Sequence, residues 1–273
     1  MKPTAKRIIL ELMSATDGHE ATAASLVAAG NLLGVADGSV RVALTRLVAD
    51  GTLVVSERGV YRLGASATAV NREVTSWRML ESQVRRWDGS WVCVQPPAGP
   101  APSAAAVRRR ERALRLLGFR ALHDGLAVRP DNLAGGVAAL RDRLHALGLE
   151  PGALVFRATD LDAASDARAR RLWDRDKLSA SYRQWCERIA SWLAEVAELP
   201  LRRAARDAFY FGGDVLRAIV LDPRLPEELV DVAARRALLA AAQRVDATGR
   251  ELWNRLVGLS HGLVFTPEVR DVA

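Results

Sequence analysis

The sequence predicts a mostly helical α+β protein in three parts, and three observations support this. Residues 1–64 contain three short helical patterns, followed by two strand-like runs around a charged turn. Residues 88–160 alternate in the order β-α-β-β-α-β, and the pattern from there onward is helical. We therefore predict three domains, at 1–64, 88–160 and 161–273, with a linker helix at 65–87.

The first domain has the pattern of a winged helix-turn-helix. We predict helices at Thr4–Ala15, Thr22–Leu33 and Ser39–Ala49, with Gly34 ending the second of them. The segment TDGHEAT between the first two helices is predicted to be a turn. The runs TLVVSE and VYRLG then predict a two-stranded ribbon, with Glu57–Gly59 as the wing.

The middle domain has the element order of a ferredoxin-like fold. SWVCVQP predicts the first strand of this domain and ALVFRATD predicts the last. FRALHDGLAVRP predicts the two middle strands as a hairpin that turns at Asp124–Gly125. AVRRRERALRLLG and DNLAGGVAALRDRLHALG predict its two helices, the second capped by Asp131 or Asn132. The remaining residues predict an all-α C-terminal domain, in which residues 166–198 form one broken helix or two. We expect this domain to serve dimerisation and effector binding.

Composition favours a globular protein with a polyanionic partner. The 273 residues are 49% hydrophobic and carry a formal net charge of +7, which suggests nucleic acid, a membrane surface or a phosphate-rich small molecule. Cys93 and Cys186 lack the spacing of a disulfide framework, which fits a reducing compartment. No uncharged apolar run reaches membrane-spanning length. We expect a cytoplasmic protein that has no membrane partner.

The third helix suggests what the first domain binds. On a helical wheel Val40, Leu44 and Leu47 share one face, which should point into the core. Small and basic residues lie on or beside the opposite face: Ser39, Arg41, Val42, Thr45 and Arg46. A major groove admits one α-helix, and such side chains can reach base edges or phosphates there.

We therefore predict that this face contacts double-stranded DNA, with Arg58 at the wing tip contacting the minor groove or the backbone. The alternative is a winged-helix domain that contacts only protein and leaves its arginines solvated.

The sequence contains no catalytic constellation, and we predict that the protein is not an enzyme. Four histidines are scattered without metal-ligand spacing: His19, His123, His145 and His261. The middle domain is similar in topology to small CRISPR-associated nucleases, but Cys93, Val94 and Gln95 stand where a metal nuclease needs a carboxylate. We expect no metal and no cofactor. The alternative is a nucleic-acid-processing enzyme with a DNA-binding appendage.

Segments throughout the chain resemble the PaaX family of phenylacetic-acid-degradation repressors. Residues 26–64 are similar to its DNA-binding domain, through GNLLG at the end of the second helix, VRVALTRL and the closing YRL. WDGSW (87–91), ALRLLGFRALHDGLAVRPDNL (113–133) and LDPRLPEEL (221–229) are similar to its middle and C-terminal signatures. Two departures are Ala127, where an aromatic residue is usual, and VDVAARRALLAA, where a Pro-Gly-containing stretch is usual.

The resemblance implies a dimeric repressor that an aryl-CoA such as phenylacetyl-CoA releases from a palindromic operator near genes of aromatic catabolism. The predicted arginine-rich helix offers candidate phosphate ligands, and Trp91 is a candidate for contacting the aromatic ring. The arginines are Arg108, Arg109, Arg112 and Arg115. A second contact to the DNA backbone and a solvated helix face are the alternatives for them. The departure at Ala127 leaves the acyl group open.

Apolar rows in the C-terminal helices are candidates for the dimer interface. They include Leu216, Ile219, Val220, Leu238 and Leu239. The alternative is that these residues form an internal helical core. The sequence leaves the effector, the operator, the sign of regulation and the position of the dimer interface open.

Overall fold

The computed structural model of this protein describes residues 4–15, 20–99 and 102–259. The fold is α+β and mostly helical, as predicted, with one three-stranded and one four-stranded sheet. The described residues form two compact units. The first draws on Met1–Thr75, Ser191–Val215 and Ala242–Ala273, and the second on Ser76–Ala190 and Leu216–Ala241.

The first unit begins with three helices and a small antiparallel sheet. The helices are α1 (Ala5–Ala15), α2 (Ala23–Leu32) and α3 (Asp37–Ala49), and the strands are β1 (Glu20–Thr22), β2 (Leu53–Glu57) and β3 (Val60–Leu63). The sheet order is β1-β3-β2. All three predicted helices and both predicted strands are confirmed, although α3 begins two residues earlier than expected.

The short strand β1 corrects one prediction. The sequence predicted a turn across the whole TDGHEAT segment, but Glu20–Thr22 pairs with β3, with Glu20 opposite Arg62 and Thr22 opposite Val60. A strand of three residues is too short to show an alternating pattern, so only the partner strand reveals it. Residues 16–19, which include His19, lie outside the described residues.

Helix α4 (Ala65–Thr75) follows the small sheet. The linker helix predicted at 65–87 is therefore shorter than expected. Two short 3₁₀ turns, at Ser76–Met79 and Glu81–Gln83, occupy part of the remaining length.

The second unit contains a four-stranded antiparallel sheet covered by helices. In chain order its elements are β4 (Trp91–Gln95), α5 (Ala104–Leu116), β5 (Arg120–His123), β6 (Leu126–Pro130), α6 (Gly136–Ala146) and β7 (Leu154–Ala158). The strands lie side by side in the order β5-β6-β4-β7. Cys93 in β4 lies opposite Val128 on one side and Phe156 on the other. The predicted hairpin turn at Asp124–Gly125 is present between β5 and β6.

The predicted cap of α6 is wrong. The helix begins at Gly136, and its N-cap is Gly135, which has a φ of +79° and makes no side-chain capping bond. Asp131 and Asn132 are instead buried and bond elsewhere. Asp131 forms ion pairs with Arg85 at 2.7 Å and with Arg157 at 3.1 Å. These long-range contacts take precedence over the local capping pattern.

Four helices complete the described chain: α7 (Ala163–Arg170), α8 (Arg175–Val196), α9 (Leu201–Val220) and α10 (Val232–Leu259). Residues 166–198 therefore belong to two helices, and Pro200 separates α8 from α9. Helices α8, α9 and α10 each contribute residues to both units. Ile219, Val220, Leu238 and Leu239 are buried within the single chain, which favours an internal core for these four residues.

Candidate nucleic-acid interface

Helix α3 is held in place by one apolar face and a tight turn. Val40, Leu44 and Leu47 are buried against α1 and α2, as the helical wheel predicts. At Gly30 in α2, a Cβ atom would lie 2.7 Å from Cγ2 of Val40, so the two helices approach closely because Gly30 has no side chain. Gly34, with φ of +82°, makes the turn between them. The outer face of α3 is thereby fixed.

The outer face of α3 carries the five side chains that the sequence predicts to meet DNA. Ser39, Arg41, Val42, Thr45 and Arg46 are all exposed, and Val42 exposes 52% of its surface although it is apolar. The Thr45 hydroxyl donates a 3.2 Å hydrogen bond to the Arg41 carbonyl, which orients its methyl group and its free lone pairs. Neither arginine forms an ion pair with any residue that the structure describes. This face therefore combines hydrogen-bonding, cationic and apolar groups on one helix.

The wing lies between β2 and β3, and Arg58 at its tip is exposed, as predicted. The Gly59 carbonyl accepts a 2.9 Å hydrogen bond from the Ala23 amide, which ties the tip to the start of α2. Arg62, which is exposed on β3, is a further basic side chain near the wing that the sequence pattern did not single out. The alternation in VYRLG, with Leu63 buried, was the available signal for its outward direction.

Parts of α9 and α10 within the first unit pack against the three N-terminal helices. Arg7 of α1 pairs with Glu11 at 2.6 Å and with Asp214 of α9 at 3.0 Å. The Tyr210 hydroxyl donates a hydrogen bond to the Leu33 carbonyl at the end of α2. Trp253 of α10 packs partly buried against the same apolar core. The contacts of Tyr210 with Leu33 and of Asp214 with Arg7 could not be predicted from the sequence, because they join residues about 180 or more positions apart.

The candidate effector residues occupy two different environments. The side chains of Arg108, Arg109, Arg112 and Arg115 are exposed on α5. Trp91 is only 1% exposed; its indole N–H donates a 2.9 Å hydrogen bond to Asp166, and its ring stacks on Trp173 with 6.2 Å between centroids. The structure therefore places this tryptophan in the core of the second unit, away from solvent.

The second unit contains an open cleft of about 700 Å³. Its polar lining includes Arg175 and Arg183 of α8, Arg236 of α10, and the acidic residues Glu227 and Asp231. Arg183 and Asp231 are 3.7 Å apart, and Asp231 also caps α10 through a 3.0 Å bond from the Ala234 amide. A second cavity, lined by Glu81, Asp222 and Arg224 among others, has a volume of about 10 Å³, which is room for one water at most.

A buried polar cluster joins segments that the sequence analysis associated with family signatures. Arg129 is fully buried; it donates to the carbonyls of Leu117 and Pro223 and, at 3.0 Å, to the Asn132 side chain. Asn132 in turn donates a 2.7 Å bond to the Arg224 carbonyl. Burial lowers the pKa of the Arg129 guanidinium, and the neighbouring charge of Arg224 acts in the same direction. These bonds hold three separate stretches of the chain together.

The same cluster extends to a buried carboxyl group. The Tyr182 hydroxyl donates to Asp222, and Arg235 donates a 2.6 Å bond to the Leu225 carbonyl and pairs with Glu81 at 3.2 Å. Burial raises the pKa of the Asp222 carboxyl above its usual range, and burial followed by the charge of Asp222 raises the pKa of Tyr182. All these groups have internal partners, so the cluster has the character of a structural support.

In the described part of the chain, no three His, Cys, Asp or Glu side chains cluster as a metal ion requires. His123 lies on β5 and His145 on α6, and neither belongs to such a cluster; His261, like His19, is outside the described residues. No helix within residues 4–15, 20–99 and 102–259 has both the length and the apolarity to span a bilayer.

Comparisons with known proteins relate this chain to a family of regulators. The family model "PaaX-like protein" matches residues 5–67, and "PaaX-like protein C-terminal domain" matches residues 173–255. The transcriptional repressor PaaX of Escherichia coli (strain K12) is 28% identical over 244 residues, which cover 84% of this chain and 75% of the repressor.

A solved structure, the uncharacterized protein Rv0674 from Mycobacterium tuberculosis, has a similar fold. Its TM-score is 0.52 at 24% identity, covering 92% of this chain and 99% of that chain. This likeness concerns the fold alone. The two family models and the repressor confirm the resemblance that the sequence motifs indicated: the chain belongs to the PaaX-like protein family.

Proposed function

We propose that this protein is a DNA-binding transcriptional regulator, specifically a ligand-released repressor of an aromatic-acid catabolic operon, and not an enzyme. The observation that carries the proposal is the outer face of α3, which projects Arg41, Val42, Thr45 and Arg46 into solvent while its inner face is locked into the core. The relationship to a transcriptional repressor supports the same reading.

We assign a winged helix-turn-helix to residues 1–64 and a ferredoxin-like domain to residues 88–160. Helices α1–α3 followed by the β2–β3 ribbon support the first assignment. The order β-α-β-β-α-β, with the strands arranged β5-β6-β4-β7 and every neighbouring pair antiparallel, supports the second. We assign residues 65–87 to a linker between these two domains and residues 161–273 to a C-terminal domain, whose described residues are mostly helical.

In this proposal α3 enters the major groove of double-stranded DNA. Arg46 bonds a guanine or a phosphate, Val42 touches a thymine methyl group, and Ser39 and Thr45 bond bases or phosphates. Arg41 lies beside this face and reaches the backbone. Arg58 at the wing contacts the minor groove or the backbone, where it supports affinity more than sequence selection.

The functional state is a cytoplasmic homodimer. A palindromic operator presents two half-sites about one DNA turn apart, roughly 34 Å, and each half-site needs its own recognition helix. One chain contains a single candidate recognition helix in its described residues, so two chains are needed for such a site.

The effector in this proposal is an acyl-CoA such as phenylacetyl-CoA. Its sequence-predicted ligands are Trp91 and the α5 arginines, but those arginines are exposed and line neither cavity of the second unit. The arginines are Arg108, Arg109, Arg112 and Arg115. The burial of Trp91 argues against direct ring contact by that residue. The 700 Å³ cleft of the second unit lies within the usual size of ligand sites, and its arginines can pair with phosphates.

DNA binding is tested by selection from a pool of random-sequence duplexes. We expect the enriched sequence to be an inverted repeat. Arg46→Ala should cost about 1–3 kcal/mol at that sequence, whereas Arg58→Ala should weaken binding uniformly across sequences. Arg72→Ala, which removes an exposed arginine of α4, is the matched control and should bind as wild type does. Unchanged affinity of Arg46→Ala for the selected duplex would refute the assignment of α3.

Effector binding is tested separately by calorimetry with free CoA, phenylacetyl-CoA and other acyl-CoAs. We expect one acyl-CoA to bind below about millimolar Kd and to release the selected duplex, because an effector must favour one conformational state over another. Arg175→Ala tests the cleft, and Arg112→Ala tests α5. If no acyl-CoA binds and none releases DNA, the effector proposal fails and the DNA-binding proposal stands.

A further inference from the structure

The outer side of α5 is an exposed surface of the second unit that is rich in arginine. Between Ser103 and Arg120 the chain has six arginines and one glutamate, a formal charge of +5. The buried side of α5 is formed by Ala113 and Leu116. Ser103 caps the helix by accepting a 3.2 Å bond from the Ala106 amide. Helix α5 thus has a capped N-terminus, a buried apolar side and a basic outer side.

Three of these arginines form a stripe. Arg108, Arg112 and Arg115 are spaced i, i+4 and i+7, so they lie on one side of the helix. At about 1.5 Å per residue the stripe is about 10 Å long. A single DNA strand carries about one charge per 3.4 Å along the helix axis, so this length corresponds to about three phosphates.

A fourth arginine extends the stripe at its side. The methylene groups of Arg109 lie along Gly148, where a Cβ atom would come within 3.4–3.5 Å of them. Arg109 remains exposed in this position. Its aliphatic stem is therefore supported while its guanidinium group stays accessible, which reduces the entropy lost when it binds an anion.

None of these four arginines forms an ion pair with a residue that the structure describes, in contrast to others in the same unit. Arg110, on the same helix, pairs with Glu150 at 2.7 Å. Arg157 pairs with Asp88 and Asp131, and Arg236 pairs with Glu81. The positive charge of the stripe is left for a partner outside the chain.

The shape of this surface indicates the kind of partner. Small ligands bind in concave sites that enclose most of their surface, but α5 presents a convex helix side, and none of its residues lines the cavities identified in the second unit. A polymer with regularly spaced phosphates can bind along such a surface without being enclosed. We propose that the stripe Arg108–Arg112–Arg115, with Arg109, binds the phosphate backbone of nucleic acid without reading its sequence. This inference rests on the proposed DNA-binding function and adds a second contact surface to it.

The expected effect follows from counterion release. Each phosphate contact contributes about 0.9 to the steepness of log K against log salt concentration. Relative to 1 M salt, one contact therefore raises the binding constant about eightfold at 0.1 M salt. Loss of one to three contacts should therefore lower the slope by about 1 to 3 and weaken binding by roughly 8-fold to 500-fold at that salt concentration.

The experiment measures binding of the full chain to a 40-base-pair duplex of arbitrary sequence over a series of salt concentrations. The test variant replaces Arg108, Arg112 and Arg115 with Gln. The control variant replaces Arg171, Arg217 and Arg244 with Gln. These three arginines are exposed and lie just after α7, on α9 and on α10, and their replacement changes the net charge by the same amount. A third variant with Lys at the three stripe positions retains the charges.

We expect the Gln stripe variant to lose slope and affinity, while the control and Lys variants keep both. An unchanged slope in the stripe variant, or an equal loss in the control, overturns the proposal. Weaker binding of phenylacetyl-CoA with unchanged DNA binding assigns the stripe to the effector and also overturns it. If wild type itself fails to bind duplex DNA, the proposed function has failed; if wild type binds and the stripe variant matches it, only this inference has.

Discussion

Replacing Gly118 with Ala should destabilise the second unit far more than the same replacement at Gly125. Both glycines have φ of +76°, a conformation that L residues avoid. Their surroundings differ. A Cβ atom at Gly118 would lie 2.8 Å from both Cα and O of Pro223 and 3.2 Å from its carbonyl carbon, whereas at Gly125 nothing lies within 4 Å.

The difference in free energy of unfolding can be estimated from these contacts. Placing alanine in the left-handed region costs about 1–2 kcal/mol at either site. Carbon atoms in contact are normally 3.5–4.0 Å apart, so the Gly118 methyl group also forces a displacement, for which overpacking costs of about 1–3 kcal/mol are typical. Pro223 cannot move freely, because it is buried and Arg129 bonds its carbonyl at 3.3 Å. We expect a loss of about 2–5 kcal/mol for Gly118→Ala and about 1–2 kcal/mol for Gly125→Ala.

Urea denaturation followed by tryptophan fluorescence measures both values. Trp91 contacts both Trp87 and Trp173 within the second unit, so these three tryptophans report on its unfolding. The m-value should be the same for both variants if only stability changes. Equal destabilisation by the two replacements would show that the close approach of Gly118 to Pro223 does not affect stability. That result would refute the reasoning.

Three further predictions concern individual side chains. Tyr210→Phe removes the hydrogen bond to the Leu33 carbonyl and should cost the first unit about 1 kcal/mol in a thermal or urea denaturation. Hydrogen bonds from the Ser90 hydroxyl, the larger cause, and from the Ser90 amide lower the pKa of Asp88 to about 2. In the Ser90→Ala variant, an NMR titration should find the pKa of Asp88 closer to its ordinary value. Burial raises the pKa of the Cys93 thiol to about 11, so at pH 8 a thiol reagent should modify it only when the protein unfolds.

Each of these has a matched control or a contradicting result. Tyr61→Phe alters another partly buried tyrosine of the first unit and should cost less than Tyr210→Phe. The stability that Asp88 contributes is present above about pH 4 and is lost as the pH falls toward the lowered folded pKa; a wild-type pKa near 4 contradicts the assigned hydrogen bonds. The half-buried Cys186 should react before Cys93, and the reverse order would contradict the burial argument.

Prediction from the sequence was correct for elements in which the local sequence pattern agrees with the packing of the folded chain. Helix α3 is readable because Val40, Leu44 and Leu47 repeat at helical spacing and all three are buried. The β5–β6 hairpin is readable because Asp124–Gly125 supplies the residues that its turn requires. In both cases the local preference and the tertiary contacts favour the same conformation.

Prediction failed where distant contacts decided the outcome. Asn132 has the character of a helix cap, but its side chain bonds the Arg224 carbonyl, 92 positions away. The sequence presented Trp91 as a candidate aromatic ligand, but its indole nitrogen is already bonded to Asp166, 75 positions away. No window of the sequence contains both members of either pair, so the competing interaction could not be weighed in advance.

The placement of the signature segments bears on what family membership establishes. The segment at 113–133 and the segment at 221–229 meet inside the second unit, where Arg129 bonds Leu117 and Pro223 and a side chain at Gly118 would collide with Pro223. Packing between these two segments restricts which side chains fit there. Their similarity to the family therefore indicates a shared fold. The α3 side chains that would select an operator, and the α5 arginines, are exposed and free of such constraints. Operator and ligand preference can therefore diverge between relatives while the signature segments stay similar.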